Sequence, residues 1–291
     1  MINKITDIEL KNLAFNNIEL FIERVDYIVS NLLSTINEIE ALKKLLTMLD
    51  ITTLRDDDYR ESLVKIISQS TYIVDNNKGI VAGVCIYSNL LPVLNTLELD
   101  KRIRRVVVSG GFPTGQLSLE GKLNDIAFAI ENGADEIDVP INRGLFFENK
   151  KEMAIEISAM KSIISQNKEV KLKVILETSE LKSYENVYNA SMIAMENGAD
   201  FIKTSTGKTG KGADVYSAAI MMLAIKDYMV ANGRIVGFKA AGGIRKSSEA
   251  LKYYVLMQYF FGDSYINKDN FRIGCSNLKN DIIDSIKNKI N

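Results

Sequence analysis

The pentapeptide ENGAD stands at residues 131–135 and again at 196–200, followed each time by a strand-like run, EIDVP and FIKTS. In both copies a helical pattern ends, a glycine (Gly133 or Gly198) supplies a left-handed cap, and an extended segment begins. A repeat of this kind marks one helix–strand unit used more than once. Around it, short apolar runs alternate with amphipathic helical patterns. The runs are LTMLDITT, GIVAGVCIY, RIRRVVVSG, DEIDVP, LKVILET, DFIKTS, IVGFKAAG and FRIGCS. Patterns such as EGKLNDIAFAIEN, EMAIEISAMKSIISQ and ENVYNASMIAMEN separate most of them. Strands spaced by helices in this number predict an α/β protein of the (β/α)8 TIM-barrel class, which takes ~250 residues. An open doubly wound sheet is the alternative. Residues 46–291 are assigned to the barrel and residues 1–45 to an N-terminal helical extension. The apolar stripe of that extension fits a cover over the barrel floor or a homodimer interface equally well.

Aligning the two repeats places Asp138 and Lys203 at equivalent positions, on the fourth and sixth strands. Alternate strands of a barrel contribute side chains to one layer, so the two residues are expected to share a layer near the catalytic end. Lys239, in IVGFKAAGG on the seventh strand, joins them. Lysine and aspartate are poor strand residues and are rarely buried unless paired. The bland alternative is three salt-bridged or snorkelling side chains at strand ends.

The chain contains no histidine. This removes the usual general base at neutral pH and the commonest metal ligand, along with Ser-His-Asp and Cys-His catalysis. Two lysines and an aspartate in one layer point instead to carbonyl chemistry. An amine attacks a carbonyl only when neutral, whereas a lysine is ordinarily charged at pH 7. A second cation nearby activates it for Schiff-base formation. Lys203 is therefore expected to be the nucleophile, Lys239 the partner that makes its proton easier to lose, and Asp138 a proton shuttle.

The loops suggest a phosphorylated substrate. AAGGIRKSSEA places Gly242 and Gly243 before a helix whose start Ser247 or Ser248 is expected to cap, and RIGCSNLKNDI places Ser276 and Asn277 before the last helix. In this fold phosphate often sits at the loops after strands seven and eight. TGKTG resembles a nucleotide phosphate loop but fails on spacing, because Ile202 stands where the leading glycine belongs. Gly207 and Lys208 read better as a loop over the substrate.

With 36 Lys and Arg against 37 Asp and Glu, no global field favours nucleic acid or an anionic membrane. No apolar run approaches the ~20 residues of a membrane span. The two cysteines, Cys85 and Cys275, give no disulfide or zinc framework. The start MINKITDIEL lacks the features of a signal peptide, and a cytoplasmic location is expected.

The runs GADEIDVPINR, LKVILETSELK, GADFIKTSTGK, VGFKAAGGIR and FRIGCSNL, in this order, resemble deoxyribose-phosphate aldolase. The resemblance extends from LDITTLRDDD to about residue 280, and ADFIKTSTGK is its most specific part. It implies a class I, cofactor-free and metal-free aldolase. Such an enzyme reversibly splits 2-deoxy-D-ribose 5-phosphate into acetaldehyde and D-glyceraldehyde 3-phosphate, in deoxyribonucleotide catabolism. By motif, Lys203 is the Schiff-base lysine, Lys239 its partner and Asp138 the acid/base. The resemblance also implies that Asp50, Thr52 and Cys85 line the pocket, and that Gly207, Lys208, Gly242, Gly243, Ser276 and Asn277 bind phosphate. The chain departs from the family at Ala240, where proline is usual, at Gly212–Asp214, and at Asn277. The family's C-terminal tyrosine tail has no counterpart after Tyr265. Another Schiff-base aldolase, a transaldolase, a pyridoxal-phosphate barrel and a non-catalytic sugar-phosphate binder are the competing readings.

Overall fold

Alternation along each strand decides which side chains face the barrel axis and which face the helices. In the computed structural model, described over residues 5–166 and 170–290, the barrel strands are β1 (Leu49–Thr52), β2 (Gly83–Tyr87), β3 (Arg104–Val108), β4 (Glu136–Pro140), β5 (Lys171–Ile175), β6 (Phe201–Lys203), β7 (Gly237–Ala241) and β8 (Phe271–Cys275). Each pairs in parallel with its neighbour in the chain, and β8 returns to β1 to close the barrel. The fold is the predicted (β/α)8 barrel. Residues 1–4 of the extension and residues 167–169 and 291 of the barrel region lie outside the described residues.

Outward positions such as Leu49, Ile51, Val84, Ile137, Val174, Ile202, Phe238 and Ile273 are buried in one apolar cluster with the surrounding helices. Three inward positions, Cys85, Val106 and Val108, form a separate small cluster. The other buried inward positions are largely charged: Asp50, Glu136, Asp138, Lys173, Lys203, Lys239 and Arg272.

The helices are α1 (Asp7–Asn16), α2 (Ile18–Leu33), α3 (Glu38–Leu46), α4 (Arg60–Gln69), α5 (Leu91–Leu94), α6 (Leu119–Glu131), α7 (Arg143–Glu148), α8 (Lys150–Ser165), α9 (Tyr184–Glu196), α10 (Val215–Asn232), α11 (Ser247–Phe261) and α12 (Leu278–Ile290). Helices α1 to α3 lie across the outer faces of α9 to α12. Lys11 to Asp227 and Lys226 to Asp7, both at 2.6 Å, tie α1 to α10. This cover explains why α10 is apolar around most of its circumference, VYSAAIMMLAI being almost wholly buried. The extension therefore packs on the flank of the barrel.

Each ENGAD repeat closes its helix in the same way. Asn132 and Asn197 donate to the carbonyls of Phe128 and Ile193, and Gly133 and Gly198 take φ of 82° and 100°. The Ala134 and Ala199 amides bond back to Ala129 and Ala194, satisfying carbonyls that a helix end otherwise leaves open. Asp135 Oδ2 then accepts the Arg105 amide at 2.7 Å, and Asp200 Oδ2 accepts the Leu172 amide at 2.8 Å. The repeat thus ends a helix and anchors the preceding strand at one stroke.

One predicted strand requires correction. GIVAGVCIY is not a single strand: Gly79 and Ile80 belong to an antiparallel hairpin, Thr71–Val74 with Asn77–Ile80, and β2 starts at Gly83. Asp75 and Asn76 both take positive φ, the geometry of a tight two-residue hairpin turn.

Candidate active site

Seven charged side chains meet inside the barrel. Asp138 Oδ2 accepts from Lys203 Nζ at 2.8 Å and from Lys239 Nζ at 2.9 Å, while its Oδ1 accepts from Lys173 Nζ at 3.0 Å. Lys239 Nζ also donates to Asp50 Oδ2 at 2.5 Å. Arg272 bridges Asp50 Oδ1 at 2.5 Å and Glu136 Oε1 at 2.7 Å. Lys173 Nζ lies 2.5 Å from Glu136 Oε2, as an ion pair off the line of a hydrogen bond. The contacts close a ring of alternating sign: Asp138, Lys239, Asp50, Arg272, Glu136, Lys173 and back to Asp138. Lys203 is attached to this ring through Asp138 alone.

The ring balances three carboxylates against three cations, so each charge is paid back locally for its loss of water. Burial pushes the Asp138 carboxyl up, but Lys173, Lys203 and Lys239 outweigh it and hold the group well below the usual carboxylate range. Asp50 and Glu136 follow the same pattern, with Arg272 the strongest opposing charge in each case. Burial alone would lower Lys239; Asp138 and Asp50 reverse this and hold its ammonium charged far into the alkaline range.

Lys203 opens onto a cleft of about 430 Å³ at the C-terminal ends of the strands. Thr52, Gly207, Lys208, Gly242, Gly243, Ser276 and Asn277 all line it. Asp50 and Cys85, expected in the pocket, do not: Asp50 is wholly buried in the ring, and Cys85 packs against Val106 and Val108. Burial pushes the Cys85 thiol up, so it is no ready nucleophile. Asp138 and Lys239 also lie beneath the cleft, not on its wall.

The glycine loops meet backbone to backbone. The Ala213 amide donates to the Gly242 carbonyl at 3.1 Å, and a Cβ on Gly212 would lie 2.5 Å from that oxygen. The start of α11 differs from expectation. Neither Ser247 nor Ser248 caps it through its side chain. Glu249 accepts the amides of Arg245 and Lys246, and Asp281 accepts that of Ser247. Those three donors are already taken, so the first amides of α11 are not free for an anion in the cleft.

Sequence reasoning missed Glu136, Lys173 and Arg272, and also Arg55 and Arg245 on the cleft wall. Of the first three, Glu136 and Arg272 carry a signal readable from strand parity. Glu136 lies two residues before Asp138, and Arg272 two before the cleft residue Gly274, so parity turns both inward. No cluster of three or more metal-ligating side chains occurs among the described residues. No helix among them is long and apolar enough to cross a membrane.

Comparison with known proteins decides the family. A family model described as DeoC/LacD family aldolase matches residues 97–280. The chain belongs to this family. Deoxyribose-phosphate aldolases of Mus musculus and Homo sapiens are 39% and 38% identical to this DeoC/LacD chain over 254 residues, which is 83% of it and 79% of each of them. A putative deoxyribose-phosphate aldolase from Toxoplasma gondii superposes with a TM-score of 0.73 at 22% identity, over 86% of this chain and 96% of its own. A tetrameric deoxyribose phosphate aldolase from Aeropyrum pernix gives 0.65 at 23%, over 86% and 97%. These two share the barrel fold. As a DeoC/LacD aldolase the chain is an enzyme, a carbon–carbon lyase of the aldehyde-lyase kind.

Proposed function

We propose that this aldolase reversibly cleaves 2-deoxy-D-ribose 5-phosphate to acetaldehyde and D-glyceraldehyde 3-phosphate through a Schiff base on Lys203. The observation that carries the proposal is the charge count. The six-membered ring is balanced without Lys203, which is the surplus cation and the one lysine of the network that lines the cleft. Losing the Lys203 proton leaves the interior neutral, whereas losing one from Lys239 would strand Asp50 beside Arg272 alone. Lys203 is thus the amine freed to attack.

The steps follow from the contacts. Neutral Lys203 adds to the substrate carbonyl to give a carbinolamine, and loss of water gives the iminium. The cation now sits where the ammonium sat, against Asp138 Oδ2. Cleavage of the carbon–carbon bond sends its electron pair into the iminium, giving an enamine, while the alcohol proton leaves as the aldehyde forms. Asp138, in contact with both lysines, is the shuttle for these protons, reaching the substrate through water. Protonation of the enamine and hydrolysis release acetaldehyde.

Gly207, Lys208, Gly242, Gly243, Ser276 and Asn277 hold the phosphate, and Thr52 borders the sugar. Asp50 acts at one remove by keeping Lys239 charged, and Cys85 has no direct part, being packed against Val106 and Val108 behind the cleft. The curated relatives' names support the substrate. Deoxyribonucleotide catabolism in the cytoplasm is the corresponding role. Borohydride reduction in the presence of acetaldehyde tests the mechanism: the adduct is expected on the peptide containing Lys203. No adduct, or one on Lys208 alone, overturns it.

A further inference from the structure

The geometry points to Glu177 as a positioning residue that sets the loop after β6 for the substrate's phosphate. This rests on the reading of the cleft given above. Glu177 follows β5 and is buried, with only 3% of its surface exposed. Its backbone is left-handed, at φ 56° and ψ 60°, a conformation unusual for a residue other than glycine, asparagine or aspartate. No cation pairs with it among the described residues. A buried, unpaired carboxylate on a strained backbone carries two penalties, and strain of this kind gathers at functional sites.

The carboxylate has one set of partners, on the loop that follows Lys203. Oε2 accepts the Thr206 amide at 3.1 Å and the Thr206 hydroxyl at 2.5 Å. Thr206 Oγ1 in turn accepts the Lys208 amide at 3.1 Å. The Thr178 amide bonds the Thr204 carbonyl at 2.9 Å, fixing the two loops to each other. Glu177 itself does not line the cleft, while Thr206, Gly207 and Lys208 do. A relay therefore runs from a buried carboxylate through Thr206 to the backbone of Lys208. Fixing that backbone in advance lowers the ordering cost when an anion binds.

One oxygen takes both Thr206 bonds, and Oε1 has no hydrogen-bond partner. Glu177→Gln therefore keeps an acceptor for both donors. Glu177→Asn tolerates the left-handed backbone but is one methylene too short to reach Thr206. The test compares both variants on 2-deoxyribose 5-phosphate and on unphosphorylated 2-deoxyribose, with borohydride trapping of acetaldehyde alongside. Glu177→Asn is expected to raise KM for the phosphorylated sugar about ten-fold or more, leaving kcat/KM for deoxyribose and the trapping yield within about two-fold. Glu177→Gln is expected to restore KM to within about three-fold. Equal losses on both sugars, no loss on either, or Glu177→Gln as impaired as Glu177→Asn would overturn the assignment. Should Glu177→Asn not fold, Thr206→Val removes the same hydroxyl donor, and an unchanged KM there refutes the relay. Failure of the unmodified enzyme to trap acetaldehyde on Lys203 would sink the parent mechanism instead, a distinguishable result.

Discussion

Replacing Lys239 by methionine removes one cation from the ring while keeping an unbranched side chain of similar length. Asp50 retains Arg272 and Asp138 retains Lys173 and Lys203, so no carboxylate is left bare. Lys203 becomes the third cation facing three carboxylates, and neutrality now requires it to keep its proton. Two ammonium groups touching one oxygen stand on the order of 4–5 Å apart, where like charges repel by about 3–4 kcal/mol at an effective dielectric of 20. Losing that repulsion is expected to slow attack by Lys203 on the order of 100-fold, since about 1.4 kcal/mol corresponds to ten-fold. The assay is the rate of borohydride trapping of acetaldehyde at Lys203 from pH 6 to 10, in the unmodified enzyme and the variant. At pH 7 the variant should trap on the order of 100-fold more slowly, with the deficit narrowing toward pH 10. A variant that traps at the full rate at pH 7 refutes the reasoning. So does a deficit that is the same at pH 7 and pH 10, which would show that Lys239 acts by shape and not by charge.

Three further outcomes are expected. Arg272→Met should destabilise the protein by about 3–5 kcal/mol in denaturant melts, because Asp50 and Glu136 each lose a buried partner; adding Glu136→Gln should recover part of the loss, and strict additivity would count against the ring. Asp50, Glu136 and Asp138 are all held below their unfolded values, so their stabilisation is complete above ~pH 5 and drains away as pH falls below the unfolded carboxyl range, ~3.9–4.3, toward the lower folded values. Equal denaturation midpoints at pH 6 and pH 3 would contradict this. Gly212→Ala, with φ 76° and its Cβ 2.5 Å from the Gly242 carbonyl, should raise KM for the phosphorylated sugar and cost about 1–3 kcal/mol, with acetaldehyde trapping little changed; an unaltered KM would mean the loops part without consequence.

The barrel was legible because the helix–strand alternation is regular and ENGAD punctuates it twice. Lys203, Lys239 and Asp138 stood out as charges in strands. Glu136 and Arg272 have the same character but are the first and second residues of their strands, where exposed charges are ordinary, while Lys173 sits mid-strand level with Asp138 and carries an equal signal that sequence reasoning missed. Only closure of the barrel turns them on one another. The hairpin is hidden in the sequence because Gly79 and Ile80 run into β2 without a break in apolar character, and its turn at Asp75 and Asn76 carries no glycine to mark it. Glu177 has no sequence mark, since neither its left-handed backbone nor its bond to Thr206 follows from residue type.

The flanking position of α1 to α3 bears on the order in which the molecule assembles. Their partners, α9 to α12, come from the last part of the chain, as the contact between Lys11 and Asp227 illustrates. During synthesis the first helices emerge with their apolar faces uncovered and must wait for most of the barrel before docking. The extension is therefore a late-closing strap, and the waiting interval is when the nascent chain is most open to association with its neighbours.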